Sequence, residues 1–412
     1  MNKEGYKTVQ EFAEEYGITP RRVRDFCAEG RIPGAIRKDS AWLIPADAER
    51  PIDGRTLRKR PESAAASAPA PESISPSSSP EQIQGIPMKQ DTNRNMMAFC
   101  PEIKVLDASI RDGGLCNNFR FTDDFVKALY ETNIAAGIDC MEFGYKSSKK
   151  MFNPDEFGKW KFCDEESIRA IVGDNPSPMK IAVMADAGRT DLDDILPKSE
   201  SVIDLIRVAC YIHQIPTALK MIDDAKAKGY QVSCNLMAVS QVRTEDLDAA
   251  LQMMAQSAAD IVYIVDSYGN YYPEQMATLA CKYVDVIGAA GKEVGIHAHN
   301  NQQLAFANTI ECCRWGVNYL DATVNGLGRG AGNCYSELLL GFLKNPKYDF
   351  LPILEFVQHR ILPLRAGGTL WGYDAPYMLT GLLNSHPRTA IRFLREGRID
   401  YARYFQELND GE

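Results

Sequence analysis

The sequence lacks the patterns that mark membrane-spanning, secreted and disulfide-bonded proteins. No stretch of roughly 18 uncharged apolar residues occurs, and the amino-terminal residues contain no apolar run of the secretory kind. The eleven cysteines form no CxxC pair, and Cys140, Cys210 and Cys281 lie in apolar runs, where cysteine packs as a small hydrophobic residue. We therefore expect free thiols and a cytoplasmic protein that makes no membrane contact.

Charge is distributed unevenly along the chain. The net charge of the 412 residues is −9, whereas the first 60 residues carry 13 Lys and Arg against 10 Asp and Glu. The rest of the chain therefore carries about −12. Because an acidic surface repels a phosphate backbone, nucleic-acid contact is expected only from the first part of the chain.

Residues 61–95 are rich in Ser, Ala and Pro and poor in large apolar side chains. Such a segment buries too little surface to offset the entropy cost of ordering, so it is expected to be a disordered linker. This interpretation divides the chain into four parts. They are an amino-terminal domain (1–55), a linker (56–98), a main domain (99–346) and a carboxy-terminal helical extension (347–412).

The amino-terminal part shows two helix starts followed by a hairpin pattern. Thr8 is expected to cap the first helix, and Thr19 followed by proline begins the second. The second helix, TPRRVRDFCAEG, is expected to place Arg21, Arg22 and Arg24 on its outer face. The following GAIRKDSAWLIP has the pattern of a short hairpin.

This arrangement resembles the winged helix-turn-helix modules of the MerR and excisionase type over residues 7–46. The resemblance implies DNA contact through the arginine face, with phosphate groups as partners. A small domain for protein contact is the alternative, because charged and solvated helix faces are common.

From about residue 101 the chain alternates short β-rich runs with amphipathic segments of helical length. Eight such units match the size and rhythm of a (β/α)8 TIM barrel, an α/β fold. An open dinucleotide-binding sheet is a poorer match, because no GxGxxG follows the first strand. The predicted strands are residues 104–110, 139–145, 180–186, 203–209, 230–237, 260–266, 293–299 and 319–325.

Polar residues end several of these strands, and a TIM barrel gathers its active site at the carboxyl ends of its strands. His297 and His299 are two residues apart, so both side chains point toward the barrel axis. Asp112 ends the first strand, close to them around the ring. The other residues of this kind are Arg111 after strand one, Glu142 on strand two, Arg207 on strand four, and Asp266 and Ser267 at the end of strand six.

Two imidazoles and one carboxylate suit a divalent ion that keeps water or substrate as its remaining ligands. We expect Mg²⁺ or Mn²⁺ at Asp112, His297 and His299, with Zn²⁺ or Fe²⁺ as alternatives. An HxH pair also occurs as a polar surface or hydrogen-bonding feature. Its coincidence with an Arg-Asp pair at another strand end favours the metal site.

The motifs LDASIRDGG, MEFGY, GIHAHN and NGLGRGAGN resemble those of the DRE-TIM metallolyases, from about Val105 to Leu340. That family includes isopropylmalate synthase, hydroxymethylglutaryl-CoA lyase and 4-hydroxy-2-oxovalerate aldolase. The resemblance implies that Asp112 and the two histidines bind the metal. It also implies that Asn333 is a further ligand and that Arg111 steadies an enolate.

The aldolase branch is the most similar one, on the stretches IRVACYIHQIPTALKMIDDAKAKGYQVSCNLM, IVYIVDSYG and GYDAPYMLTGLL. Three departures from the family patterns matter. Val324 replaces the reactive cysteine of the hydroxymethylglutaryl-CoA lyases, and Gly114 replaces the Glu or Gln of the synthases. Leu115 replaces the histidine that takes the C4 hydroxyl proton in the aldolases, so another base is required.

The sequence leaves three candidates for that base. His213, just beyond strand four, is the first, with helix capping as its alternative role. Glu142 is the second, with orientation of Arg111 as its alternative role. Tyr373 is the third, although it and Tyr377 also fit a packing role.

The predicted function is a metal-dependent carbon–carbon lyase or aldolase that cleaves or forms a 4-hydroxy-2-oxo acid through a pyruvate enolate. Arg207, Asp266 and Ser267 are expected to bind substrate, with loop capping as the alternative for Asp266. The rival functions are a Claisen-type acyl-CoA condensation and a metabolite-responsive DNA-binding regulator. The predicted partners are a small 2-oxo acid, further copies of the chain and an aldehyde-processing enzyme.

Overall fold

The computed structural model describes residues 6–16, 18–28, 32–38, 41–46, 48 and 102–410. The predicted linker at 56–98 lies outside the described residues. The described residues belong to two compact units, one within residues 1–88 and one within residues 89–412. The ten cysteines among them are free, as expected. No helix in these ranges is both long enough and apolar enough to cross a bilayer.

The amino-terminal unit combines two helices with a small antiparallel sheet. Its elements are β1 (Tyr6–Thr8), α1 (Val9–Tyr16), α2 (Pro20–Ala28), β2 (Ile36–Lys38) and β3 (Ala41–Pro45). The central strand is β3, which pairs with β1 and with β2. Phe12, Val23, Phe26 and Ile44 are buried in its core. The two helices and the hairpin predicted for this part of the chain are present.

Thr8 caps α1 as predicted, through a reciprocal pair of hydrogen bonds. Its Oγ1 accepts from the backbone N–H of Glu11 at 3.2 Å, and Oε2 of Glu11 accepts from the backbone N–H of Thr8 at 2.7 Å. On α2, Arg24 is exposed, and its Nε donates to the carbonyl of Pro20. The side chains of Arg21 and Arg22 lie outside the described residues.

Eight parallel strands close into a barrel in the second unit, which confirms the predicted (β/α)8 fold. The strands are β4 (Lys104–Asp107), β5 (Cys140–Tyr145), β6 (Lys180–Asp186), β7 (Leu205–Cys210), β8 (Gln231–Leu236), β9 (Ile261–Asp266), β10 (Glu293–Ala298) and β11 (Tyr319–Ala322). Each strand pairs with the next one along the chain, and β11 pairs with β4 to close the ring. Because β10, β11 and β4 are consecutive around the ring, residues at their carboxyl ends meet on one side of the mouth.

The first barrel strand is shorter than predicted. It ends at Asp107 and a helix follows, so Arg111 and Asp112 lie in the first turn of that helix rather than at a strand end. The prediction is wrong here because Gly113 and Gly114 weaken the helical pattern of the sequence. Tertiary packing holds this helix, since a Cβ on either glycine would collide with a neighbouring side chain.

Helices follow most of the barrel strands and continue beyond the last one. They are α3 (Ser109–Asn117), α4 (Asp123–Ala135), α5 (Glu165–Val172), α6 (Ile215–Ala227), α7 (Thr244–Gln256), α8 (Pro273–Tyr283), α9 (Ala305–Arg314), α10 (Ser336–Leu343), α11 (Leu351–Phe356), α12 (Leu362–Ala366), α13 (Ala375–Leu382), α14 (Arg388–Arg395) and α15 (Tyr401–Asp410). Helices α11 to α15 occupy the predicted helical extension. Ala390, Phe393 and Tyr404 form a small core within it.

Helix α13 is joined to the mouth of the barrel by hydrogen bonds. Nδ2 of Asn270, in the loop after β9, donates to the carbonyl of Gly381 at 2.8 Å. Nδ2 of Asn301, in the loop after β10, donates to the carbonyl of Tyr377 at 3.1 Å. The carboxy-terminal helices therefore contribute to the end of the barrel at which the strands terminate.

The interior of the barrel changes from apolar to charged toward the carboxyl ends of the strands. Inward side chains recur at every second position of a strand. Cys140, Leu205 and Tyr319 belong to an apolar interior layer, and the residues two positions further along these strands are Glu142, Arg207 and Asp321, all buried. The charged layer therefore lies between the apolar core and the mouth.

Candidate metal centre and its cavity

The three predicted metal ligands converge at the mouth of the barrel. Asp112 lies in α3, His297 lies on β10, and His299 follows the last residue of that strand. One ligand atom from each side chain lies within 4.8 Å of the others, and all three residues are buried. This spacing suits three protein ligands around one divalent ion.

The surroundings of Asp112 and His299 favour the protonation states in which these two groups bind a metal ion. Burial raises the pKa of Asp112, but the positive charge of Arg111 beside the carboxyl outweighs burial and holds that pKa well below its usual range. Burial lowers the pKa of His299 well below its ordinary value. The carboxylate is therefore ionised and the imidazole of His299 is neutral, the forms in which both groups bind a divalent cation.

Asn333, the predicted further ligand, lies beside Asp112. Its Nδ2 donates to Oδ2 of Asp112 at 2.5 Å, and its Oδ1 is buried without a hydrogen-bond partner. Gly328 packs against the same pair, since a Cβ there would lie 2.2 Å from Nδ2 of Asn333. An unpaired buried oxygen beside two imidazoles and a carboxylate fits a divalent cation, which would satisfy it.

A chain of buried charges lies behind the ligands. Nδ1 of His297 is 3.0 Å from Oδ2 of Asp321, which also accepts from Nη2 of Arg207 at 2.6 Å. Nη1 of Arg207 and Nε of Arg111 both donate to Oε2 of Glu142, at 2.7 and 2.8 Å. The carboxylate of Asp321 thus orients the ring of His297 and leaves Nε2 for a ligand, as is common behind metal-binding histidines.

Asp321 was not among the residues predicted from the sequence, although a signal was present. Asp321 is the one carboxylate of the predicted strand YLDATVN, at a position that alternation directs into the barrel. An inward charge in a buried strand requires a partner. Its partners come from β7 and β10, and the spacing of residues along the chain does not identify them.

A cavity opens beside the ligands, with about 560 Å³ of space not filled by protein atoms, its mouth included. Five predicted site residues line it, namely Arg111, Asp112, Ser267, His297 and His299. Residues that were not predicted line it as well, among them Tyr145, Tyr211, Tyr268, Arg329 and His386.

Three residues predicted for substrate binding or catalysis lie behind the cavity wall instead. Glu142 and Arg207 belong to the buried charge network and do not line the cavity. Asp266 is buried, accepts from the backbone N–H of Asn270 and so caps the loop after β9. Burial raises the pKa of Asp266 to about 7, although its backbone hydrogen bonds act in the opposite direction.

None of the three predicted bases is among the described residues that line the cavity. His213 is exposed, and its ring stacks on Tyr211 with the ring centroids 5.9 Å apart. Tyr373 is 63% exposed. Glu142 is engaged by two arginines, and Leu115 itself faces the cavity.

Among the described residues, one further histidine lines the cavity, and no sequence pattern marked it. His386 follows α13, and its ring packs edge-on against Tyr268 with centroids 5.6 Å apart. Its Nδ1 accepts from the backbone N–H of Arg388 at 3.1 Å. Burial, together with the charges of Arg329 and Arg388, lowers the pKa of His386 to about 4. The ring is therefore neutral, carries its proton on Nε2 and can donate to a ligand.

Residues 102–351 match the HMGL-like family. A protein named oxaloacetate decarboxylase from Mycobacterium tuberculosis is 33% identical over 251 residues, which cover 60% of this chain and 72% of that relative. A protein named 4-hydroxy-2-oxovalerate aldolase from Pelotomaculum thermopropionicum is 27% identical over 311 residues, which cover 72% of this chain and 88% of that relative.

Solved structures share the barrel. The N-terminal domain of a Bacteroides vulgatus protein assigned as an aldolase has 28% identity and a TM-score of 0.63, covering 71% of this chain and 96% of that one. Hydroxymethylglutaryl-CoA lyase from Pseudomonas aeruginosa shares the fold at 18% identity, with a TM-score of 0.54 over 66% of this chain and 95% of that one. The matches confirm the prediction of a carbon–carbon lyase, and the chain belongs to the HMGL-like family.

Proposed function

We propose that this enzyme uses a divalent metal ion to break the C3–C4 bond of a 2-oxo acid and to release pyruvate by way of its enolate. The observation that carries the proposal is the position of Arg111 beside the set Asp112, His297 and His299 at one cavity. Mg²⁺ or Mn²⁺ is the proposed ion. The relatives named above favour neither an acyl-CoA condensation nor a regulator.

Arg111 is held so that one of its nitrogens faces the cavity without a carboxylate partner. Nε donates to Glu142 and Nη1 donates to Asp112 at 2.7 Å, whereas Nη2 has only the ring nitrogens of His297, at 3.4 and 3.5 Å. We assign Nη2 to the C2 oxygen of the substrate, where negative charge develops as the enolate forms. A donor fixed in advance stabilises such charge without reorganising.

A divalent cation at the ligand set would polarise the 2-oxo group as a Lewis acid. The residues behind the ligands keep Arg111 in place, because Glu142 is itself held by Arg207. Leu115, Met184 and Val265 contribute apolar surface to the cavity wall. This surface limits the water near the developing charge, which strengthens its attraction to Arg111.

The cavity wall also supports a second candidate function, decarboxylation of a 2-oxo acid that carries a carboxylate on C3. Aldol cleavage needs a base for the C4 hydroxyl proton, and Leu115 lies where the aldolase pattern has histidine. Loss of CO₂ from C3 leaves the same pyruvate enolate and needs no such base. The relative named oxaloacetate decarboxylase agrees with this alternative.

Exchange of the pyruvate methyl protons with solvent tests the half of the mechanism that both reactions share. The full-length protein with Mg²⁺ is expected to exchange these protons, as followed by NMR in D₂O. Arg111→Lys is expected to slow exchange by roughly 10²- to 10³-fold, since one preorganised donor is lost. Arg243→Lys, at an exposed ion pair with Asp246, is the matched control. Absence of exchange with Mg²⁺, Mn²⁺ and Zn²⁺ alike would refute the proposed function.

The Leu115→His variant tests whether the enzyme catalyses aldol cleavage or decarboxylation. If the missing base limits aldol cleavage, the variant should cleave 4-hydroxy-2-oxovalerate roughly 10²- to 10⁴-fold faster than the wild type. Pyruvate release measured with a coupled dehydrogenase reports the rate, and oxaloacetate turnover is compared in parallel. Rapid cleavage by the wild type would contradict the account of Leu115. If the His213→Ala variant then lost this rapid cleavage, His213 would be identified as the base.

We propose that residues 1–55 form a separate helix-turn-helix module that contacts DNA, joined to the barrel by the linker at 56–98. The exposed Arg24 on α2 supports a contact with phosphate. Deleting residues 1–95 is then expected to leave metal affinity and pyruvate exchange within about twofold of the intact chain, because few contacts cross such a linker. Loss of soluble protein or of pyruvate proton exchange on deletion would show that the barrel depends on the amino-terminal module.

Three further expectations stay predictions. They are self-association of the chain, an aldehyde-processing partner enzyme and a cytoplasmic location.

A further inference from the structure

Arg329 lies in the loop after β11, and packing on both sides holds that loop in place. On one side, Gly328 packs against Asp112 and Asn333, where a Cβ would lie 2.5 Å from Oδ2 of the aspartate. On the other side, Gly330 has a φ of +65° and a hypothetical Cβ would lie 3.2 Å from the ring of Tyr377. The side chain of Arg329 lines the cavity that Arg111 and the metal ligands share.

No carboxylate among the described residues forms an ion pair with Arg329, although the charge of Asp112 acts on it from further away. Its Nη2 donates to the carbonyl of Ser267 at 3.3 Å, and its Nε is buried without any hydrogen-bond partner. Arg111 and Arg207, by contrast, each form ion pairs with two carboxylates. A partly buried cation without a carboxylate in direct contact is unfavourable, and the planar guanidinium suits a carboxylate in two-point contact.

His386 lies at the same part of the cavity and adds a neutral donor. Arg329 donates to the carbonyl of Ser267, and His386 packs against the next residue, Tyr268. The backbone N–H of Arg388 occupies Nδ1 of His386, so Nε2–H is the group left for a ligand. Tyr268 contacts the ring and also lines the cavity. A guanidinium beside an N–H donor matches a carboxylate, whereas a methyl group there would leave both unpaired.

We propose that Arg329 and His386 form a subsite for a second carboxylate, so that the substrate is a 2-oxo dicarboxylic acid. This inference rests on the proposed function, in which the first carboxylate and the 2-oxo group lie at Arg111 and the metal ligands. Either reaction proposed above accommodates a substrate of this class, with a carboxylate in place of the terminal methyl group of 4-hydroxy-2-oxovalerate in the aldol case. One such substrate is a 4-hydroxy-2-oxo acid with a terminal carboxylate, and the other is a 2-oxo acid with a carboxylate on C3.

Binding of two unreactive probes tests the subsite. 2-Oxoglutarate and 2-oxovalerate share the first carboxylate, the 2-oxo group and the chain length, and differ in a terminal carboxylate against a methyl group. Calorimetry on the full-length protein with Mg²⁺ should show 2-oxoglutarate binding roughly 10²-fold tighter or more, because a site built for a polar group rejects an analogue that lacks it. Arg329→Met should bring the two affinities together, and Arg329→Lys should restore part of the difference.

Arg243→Met, at an exposed surface arginine, should keep the wild-type preference and is the matched control. Equal wild-type affinities, or no binding of either probe, would overturn the subsite. Equal weakening of both probes in Arg329→Met would also overturn it, because Arg329 would then bind the first carboxylate. If Arg329→Met does not fold, the ratio of the two probe affinities in the wild type and in Arg329→Lys still tests the subsite. A clear preference without pyruvate exchange would instead refute the proposed function alone.

Discussion

Asp112→Asn and His297→Ala are each expected to abolish stoichiometric divalent-metal binding to the full-length protein. Each change removes one of three buried side chains whose ligand atoms lie within 4.8 Å of one another. Asparagine also removes the negative charge that balances Arg111 and a cation in a buried site. The loss of affinity should exceed the roughly 10- to 100-fold that is typical when a residue behind metal ligands is changed.

Calorimetric titration with Mn²⁺ and elemental analysis of dialysed protein measure this effect. Asp246→Asn and His359→Ala, at exposed positions, serve as matched controls and should keep one metal ion per chain. Unchanged occupancy in both site variants would show that the metal, if bound, lies elsewhere. Pyruvate exchange should disappear together with binding, because Arg111 alone does not polarise the 2-oxo group.

Asp321→Asn is expected to lower both stability and metal affinity, although Asp321 does not line the cavity. Its Oδ2 receives hydrogen bonds from Arg207 and lies 3.0 Å from Nδ1 of His297, and all three residues are buried. Without this carboxylate, Arg207 shares the single carboxylate of Glu142 with Arg111. Breaking a buried ion pair by removing one partner typically costs about 3 to 5 kcal/mol.

Chemical denaturation should therefore show a free energy of unfolding lower by about 3 to 5 kcal/mol, and metal affinity should fall by roughly 10- to 100-fold as His297 loses its orienting partner. Asp246→Asn removes an exposed ion pair and should change stability by less than about 1 kcal/mol. A stability loss with unchanged metal affinity would assign Asp321 to folding alone. An unchanged free energy of unfolding would show that the charge network contributes little.

Short-range patterns were enough to predict the barrel and the grouping of three candidate metal ligands at its rim. Strands in a buried parallel sheet appear as short apolar runs separated by amphipathic helices, and eight such repeats leave few other architectures. A closed barrel brings the carboxyl ends of its strands to one rim, so His297, His299 and Asp112 could be grouped although they are distant in the sequence. The extent of the first strand was wrong, because packing around Gly113 and Gly114 overrides their weak helical propensity.

The partners of the site residues could not be predicted in this way, because they depend on contacts between segments far apart in the chain. Asp321 meets Arg207 across 114 positions, and His386 reaches the cavity through helices that pack on the loops after β9 and β10. Periodicity shows that a residue points inward, but not which charge it meets there. The sequence therefore specifies a (β/α)8 barrel with a candidate metal site at its rim. Long-range packing determines that Arg207 forms ion pairs with two carboxylates, that no carboxylate among the described residues forms an ion pair with Arg329, and that His213 lies outside the cavity.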